Sequence, residues 1–397
     1  MTTPSVATIE AGDEVLARIR ELLPLIKKNA AEGDRNRRVP DETINALKEA
    51  GAFRLATPRR YGGYENLRAM LDAPALIAEA DGGTAWVVMI SNTNVWIAAA
   101  HGGDLADEMF ADGPDTIIGG VLAASGKARK VSGGYRVTGR WPYASASLHA
   151  DWTAGGVYVV DDNDQILDQG LVSFPAADVR VEDTWYVSGM RASGSNTIIA
   201  EDVFVPEHRY GSLLPVLTGS YVADHPDSPL YRAAIGGLFV TSATAPQLGL
   251  GRAALNMVIE KAAAKPIAYT TIERQGDSVA FQLLIAEAAL KIDTAQLHAT
   301  RAADDLQRYA ELGVFPDVLA RSRIHGDSAV VVRNINDAIN ILLNANGSGS
   351  FAEVNALQRI WRDSNIAARH ATILPQVSLE TYGKALLGVQ EHITPLL

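Results

Sequence analysis

Between about residues 8 and 112, apolar positions recur at helical spacing, as at Val15, Ile19, Leu22, Leu23 and Ile26, which predicts amphipathic helices. The stretches "PRRYGGYEN" and "ADGPD" punctuate them as turns. From about 117 to 210 the texture changes to short runs rich in β-branched and aromatic residues set between glycines: "TIIGGVL", "GGYRVTG", "WTAGGVYVV", "GLVSF", "VRVEDTWYV" and "NTIIAEDVFV". A compact β domain is expected there. The Pro- and Gly-rich connector "PVLTGSYVADHPDSPLYRAAIGG" then gives way to long Ala- and Leu-rich helices from about residue 240, among them "AFQLLIAEAALKIDTAQLHATRAADDLQRYAELG" and "SAVVVRNINDAINILLNA". Helices, then strands, then helices predict an α+β, predominantly helical fold in three domains: residues 1–115, 116–225 and 226–397. Because strands and helices do not alternate, a doubly wound sheet is excluded. The piece "NANGSGS" (344–350) has no preceding strand and lacks the G-x-G-x-x-G spacing. It reads as a break between two bundle helices, with the backbone amides of Gly347 and Ser348 open to a ligand.

Composition narrows the chemistry. The 397 residues exceed the size at which a single core usually keeps growing, in line with several domains. With 46 acidic against 35 basic residues and no long basic run, a nucleic-acid groove is not expected, and a small-molecule partner fits better. The absence of cysteine excludes disulfides, thiol nucleophiles and Cys-ligated metals. No apolar signal core stands at the N-terminus, and no uninterrupted apolar run reaches the roughly 18 residues of a membrane span, so a cytoplasmic protein without a membrane partner is expected. The eight histidines (101, 149, 208, 225, 298, 325, 370 and 392) form no H-x-x-x-H or H-x-x-E pair, so no metal site is expected. The missing G-x-S-x-G elbow argues against acyl transfer.

Four stretches concentrate candidate chemistry. In "GGTAWVVMISNTNVW" (82–96), Trp86, Asn94 and Trp96 follow a small-residue start, which suits a flat ligand packed on a helix. In "GRWPYASASLHADW" (139–152), Ser145 follows Trp141 and Tyr143 at a strand-to-turn transition, placing a hydroxyl beside an aromatic surface. "WYVSGMRASGSNT" (185–197) clusters Arg191, Ser193, Ser195, Asn196 and Thr197 around two glycines, a donor-rich loop able to hold phosphate or a heterocycle. "RIWRDSNIAARH" (359–370) reads as a helix ending on His370. Positions seven apart differ by about 20° around a helix, so Asp363 and His370 would face one way; the structural alternative pairs Asp363 with Arg359 on a solvated face.

In order and at these separations, the stretches resemble the acyl-CoA dehydrogenase fold superfamily, and within it the flavin-dependent monooxygenases that work with a separate flavin reductase. The N-terminal "RRVPDETINALKEAGAFRLATPRRYGGYE" is similar to the superfamily's opening. "GGYRVTGRWPYASASLHADW", "DTWYVSGMRASGSNTIIAEDVFVPEHR" and "LQRIWRDSNIAARHA" are similar to the hydroxylases' "GGY.v.G.W.f.SG..hA.W", "D.Wyv.GlrGTGSnt....dvFVP.hR" and "iqR.wRD.ha...H". The resemblance implies a helical N-terminal domain, a central β barrel-like domain and a C-terminal four-helix bundle, usually assembled as a homotetramer. Flavin would lie between β domain and bundle, with part of the site supplied by a neighbouring subunit. Trp86 matches a tryptophan of the flavin and substrate pocket. Ser145 matches the serine near flavin N5 and O4, and His370 the histidine taken as base or as stabiliser of the C4a-hydroperoxide. Three departures stand out: Asn94 replaces a common histidine, Ala144-Ser145-Ala146 replaces "SSG", and Asn365-Ile366 replaces "ha".

A dehydrogenase of this superfamily needs a glutamate to remove a proton alpha to a thioester, and only Glu273, Glu287 and Glu380 offer themselves, none marked. Dioxygen is not activated by amino-acid side chains, which favours flavin-borne monooxygenation. The resemblance therefore implies reduced FMN or FAD from a partner reductase, O2, and a small aromatic, polyketide-like or heterocyclic substrate. FMN is slightly favoured, because "AYTTIERQGDSVAFQ" lacks the arginine that contacts the FAD pyrophosphate. Thioester oxidation and N-oxygenation of an amine or amino sugar are the alternatives.

Overall fold

The computed structural model describes residues 6–397; residues 1–5 of the expected N-terminal domain lie outside the described residues. Five helices come first: α1 (Val6–Asn36), α2 (Asp41–Ala50), α3 (Leu67–Ala78), α4 (Gly82–His101) and α5 (Gly103–Met109). Local chemistry fixes their ends. Asp81 caps α4 by accepting from Thr84 N at 2.8 Å, and Gly51 closes α2 at φ 85°, in the left-handed region open to glycine. Helix α4 is buried on nearly every side, so its polar side chains must be satisfied internally. They are: Asn92 Nδ2 donates to Ala52 O at 2.8 Å, and Thr93 Oγ1 to Met89 O at 2.9 Å. Ser91 Oγ accepts from Ile118 N, and Asn94 Nδ2 donates to Ile118 O, at 3.1 Å each. The last pair fastens the helix to the first strand.

Strands β1 (Ile118–Val131), β2 (Gly134–Ala144), β3 (Trp152–Val160), β4 (Ile166–Pro175), β5 (Arg180–Glu182), β6 (Asn196–Pro206) and β7 (Tyr210–Ser212) form one sheet in the order β5-β6-β2-β1-β3-β4-β7. Only β1 and β3 run parallel. The sheet curls around its own core of Val137, Trp141, Val157, Val172, Phe174 and Ile198. Trp141, expected among the cofactor-binding residues, belongs to this core instead: it is fully buried, its indole N–H donates to Gly156 O at 2.7 Å, and its ring packs on Phe174. A β-carbon at Gly126, Gly139 or Gly155 would run into the indole, so the glycines of these strands make room for it.

After a short helix α6 (Leu214–Thr218), the long helices α7 (Ile235–Ala262), α8 (Val279–Leu312) and α9 (Val318–Asn346) form the bundle, joined by α10 (Ala356–Ala367) and α11 (Pro375–Leu386). The predicted break is present: α9 ends at Asn346, Gly347 takes φ 80°, and α10 starts nine residues later at Ala356. Among the described residues no helix is long and apolar enough to cross a membrane, and no cluster of His, Asp or Glu is arranged to hold a metal.

Helix α10 is the hub between bundle, sheet and N-terminal helices. Ser364 Oγ donates to Gln247 Oε1 at 2.7 Å while Gln247 Nε2 donates back to Ser364 O at 2.8 Å, tying α10 to α7. Arg362 reaches Asp34 of α1 at 3.1 Å, and Asp363 Oδ1 accepts from Met190 N at 2.5 Å. Arg359 faces Asp81 at 3.9 Å rather than Asp363, so the solvated Arg359–Asp363 pair does not form. Nor does the helix end on His370: it stops at Ala367, and His370 opens the next turn, Ala371–Ile373, as its N-cap.

Candidate active site

Two loops meet at the N-terminal half of α4. The first leaves β2 and carries Ser145 between Tyr143 (φ 66°) and Ala146 (φ 65°). Non-glycine residues in the left-handed region on both sides of one serine mark a backbone held against its preference, a pattern that concentrates at functional sites. The second loop, Gly189–Ser195, is pinned by Asp363 through Met190, itself at φ 53°. Ala146 N donates to Ser193 O and Ser147 Oγ to Gly194 O, both at 3.1 Å, so the loops are stitched together. The small-residue start of α4 is explained here: a β-carbon on Gly83 would collide with Ala192, and one on Gly82 would press on Asp363.

At this junction Trp86 Nε1 donates to Ser145 Oγ at 3.0 Å. Ser145 Oγ lies 2.8 Å from Ser195 Oγ, which lies 2.7 Å from Ser193 Oγ. All four side chains are buried. The ring of His370 meets that of Trp86 edge-on, 5.3 Å between centroids. Its Nδ1 is 2.9 Å from Thr372 Oγ1 and also receives the Thr372 N–H, while Nε2 has no hydrogen bond among the described residues. An amide N–H aimed at Nδ1 favours the tautomer with the proton on Nε2. Burial pushes the imidazolium down to about 4, so the ring is neutral near pH 7. Asp363, behind the site, is held up at about 7 by burial and then by the charge of Asp81.

Trp86, Ser145, Ser193, Ser195 and His370 thus come together, and the other expected site residues do not join them. Tyr143 stands at the outer edge, 70 % exposed, its ring against Trp185 at 6.0 Å. Arg191 is committed to the backbone, donating to Asp34 O at 2.8 Å and Val187 O at 3.0 Å. Asn196 Oδ1 accepts from Thr184 N and Trp185 N, and Thr197 pairs with Thr184. These contacts hold the loop in shape. Asn94 lies eight residues beyond Trp86, about 12 Å along α4. There it borders a small, mainly apolar cavity with Ile97, Ala98, Ile118, Leu122 and Ala154. Gly347 and Ser348 sit on the exposed turn before α10, whose 12 residues, about 18 Å, separate them from His370 in the same chain. Sequence reasoning missed Asp81 and Thr372. The first was legible as an N-cap three residues before Thr84; the second carries no sequence signal.

Comparison with known proteins agrees with this architecture. Residues 14–106 match the model for the acyl-CoA dehydrogenase N-terminal domain, and 241–375 that for its C-terminal domain. The chain is 31 % identical to the oxygenase subunit HsaA, a flavin-dependent monooxygenase of Rhodococcus jostii, over 94 % of this chain and 98 % of the relative. It is 28 % identical to the oxygenase component of p-hydroxyphenylacetate 3-hydroxylase of Acinetobacter baumannii, covering 99 % of this chain and 92 % of that one. The structure of XiaF from Streptomyces in complex with FADH2 and glycerol superposes with a TM-score of 0.95 at 37 % identity, over 98 % of this chain and 99 % of XiaF. Fold, domain matches and full-length similarity agree: the chain belongs to the acyl-CoA dehydrogenase family, in its branch of flavin-dependent monooxygenase oxygenase components.

Proposed function

We propose that this chain is the oxygenase of a two-component system, hydroxylating a small aromatic, polyketide-like or heterocyclic substrate with O2 and reduced flavin from a separate reductase. The observation that carries the reading is the buried junction where Ser145, Trp86 and His370 converge between sheet, α4 and α10. Its donors fit a flat heterocycle edged with carbonyl and nitrogen atoms: the hydroxyls of Ser145, Ser193 and Ser195 hold one proton more than their mutual contacts use, and Nε2 of His370 is free. Reduced flavin supplies the two electrons that, with O2, place one oxygen atom on the substrate and release the other as water. Ser145 would hold the ring edge, and Trp86 would wall the site from water. His370, neutral at working pH, would hydrogen-bond to the reacting oxygen or pass a proton to or from the substrate. FAD is the first flavin to test, because XiaF holds FADH2; FMN, favoured by the missing arginine, is the second.

The thioester-oxidising alternative finds no support in the site, since Glu273 in the loop between α7 and α8, Glu287 on α8 and Glu380 on α11 are all exposed. The cavity beside Asn94 favours an uncharged substrate: Arg209 at its edge is paired with Glu108, and burial keeps His101 neutral. A homotetramer in the cytoplasm completes the reading. Leu283, Leu290 and Leu297 recur every seven residues along α8 and are each about two-thirds exposed, an apolar stripe suited to another helix. The deciding experiment is anaerobic titration with reduced FAD and FMN, followed by mixing with 18O2 and a panel of phenols and indoles. Saturable binding and singly 18O-labelled product are expected; no saturable binding of either flavin would overturn the reading.

A further inference from the structure

The relay Trp86–Ser145–Ser195–Ser193 has a fixed count. Four donors, one indole N–H and three hydroxyls, share three contacts, and none of the hydroxyls makes any other hydrogen bond among the described residues. One proton is therefore left over whichever way the hydroxyls rotate. If it stayed on Ser193 or Ser195, it would be a buried donor without an acceptor, which is costly. Of the three hydroxyls, only that of Ser145 contacts Trp86, whose ring meets His370.

We infer that Ser195 is a positioning residue: by donating to Ser145, with Ser193 donating to Ser195 behind it, it fills the lone pair that Trp86 leaves open and turns the Ser145 hydroxyl outward as a donor to the bound flavin. Indole fixed donation from one side and Ser195 donation from the other leave the Ser145 oxygen no lone pair with which to accept from a ligand N–H. The partner atom on the ring is then an acceptor, and the C4 carbonyl qualifies in both redox states. The stitching of Ala146 to Ser193 and Ser147 to Gly194 keeps the three oxygens in register. The inference rests on the flavin reading above.

A double-mutant cycle on flavin affinity, with no turnover involved, tests it. Anaerobic titration with FAD, oxidised and reduced, is carried out on wild type, Ser145→Ala, Ser195→Ala and the double variant. Freeing the Ser145 hydroxyl to sample its other orientations is expected to weaken binding about three- to fivefold in Ser195→Ala. With Ser145 already gone, adding Ser195→Ala should change affinity less than about twofold, because the group it acts through is absent. Ser195→Thr, which keeps a hydroxyl, should restore the affinity. If the alanine variant does not fold, Ser195→Cys, of similar size but a much weaker donor, should show the same coupled loss. Ser147→Ala, which removes one of the two stitching contacts and none of the relay's own, should weaken binding less than Ser195→Ala does. Equal losses with and without Ser145, or a Ser147→Ala loss matching that of Ser195→Ala, would overturn the positioning role while leaving the flavin reading intact. No saturable binding by wild type would take down both.

Discussion

An Asp363→Asn variant keeps the oxygen that accepts the Met190 N–H at 2.5 Å and removes the titrating proton at that position. Burial, followed by the charge of Asp81, holds the Asp363 carboxyl up at about 7 against an ordinary value of 3.8, with the Met190 N–H and Arg359 offsetting part of the effect. A carboxyl raised by folding keeps its proton where the unfolded chain has already lost it. Between about pH 4 and pH 7 the native state therefore binds more protons, and its stability falls as pH rises through that window. Between about pH 5.5 and pH 8 the two values correspond to a loss of about 2 kcal/mol in the wild type. Asparagine has no such titration. Groups remote from Asp363 titrate alike in the two proteins, so the difference in unfolding free energy moves in the variant's favour by about that amount as pH rises. Urea unfolding of both proteins at the two pH values measures it. A difference that stays constant, or that moves toward the wild type, refutes the account of Asp363 as a carboxyl kept neutral between α10 and the start of α4.

Replacing His370 by Ala should leave the fold intact, cut hydroxylated product sharply and raise hydrogen peroxide released per reduced flavin consumed; near wild-type coupling would remove His370 from the chemistry. Because its imidazolium titrates near 4, product yield should show no His370-dependent inflection between about pH 6 and pH 8, and one that disappears in His370→Asn would contradict a neutral ring. Trp141→Ala empties the middle of the sheet's core and should cost about 3–5 kcal/mol in thermal or urea unfolding; a loss under about 1 kcal/mol would mean that the indole is not the keystone its burial indicates. Leu290→Glu together with Leu297→Glu should lower the mass measured by light scattering, and an unchanged mass would place the subunit contacts elsewhere than on α8.

The order of elements was legible because it rests on periodicities that each segment carries alone. Val15, Ile19 and Ile26 are buried where helical spacing puts them, and the β-rich runs became the strands of one sheet. The gathering of Trp86, Ser145, Ser193, Ser195 and His370 was legible only as a resemblance among separated motifs; within each stretch the sequence did not distinguish a residue facing the site from one holding the loop. Trp141 and Ser145 stand four positions apart on one strand and its turn, yet the curl of the sheet seals the first in its core while the second, between two left-handed residues, meets Trp86 of α4. Arg191 and Asn196 looked like ligand donors because their side chains can donate, and their partners turned out to be carbonyls and amides brought in from α1 and the segment before the loop. Local pattern determines helices, strands and turns, because those depend on neighbours a few residues apart. Which polar atoms remain free depends largely on partners tens to hundreds of residues away, and for Asp363, bonded to Met190 across 173 positions, only the packing of α10 against the second loop decided it.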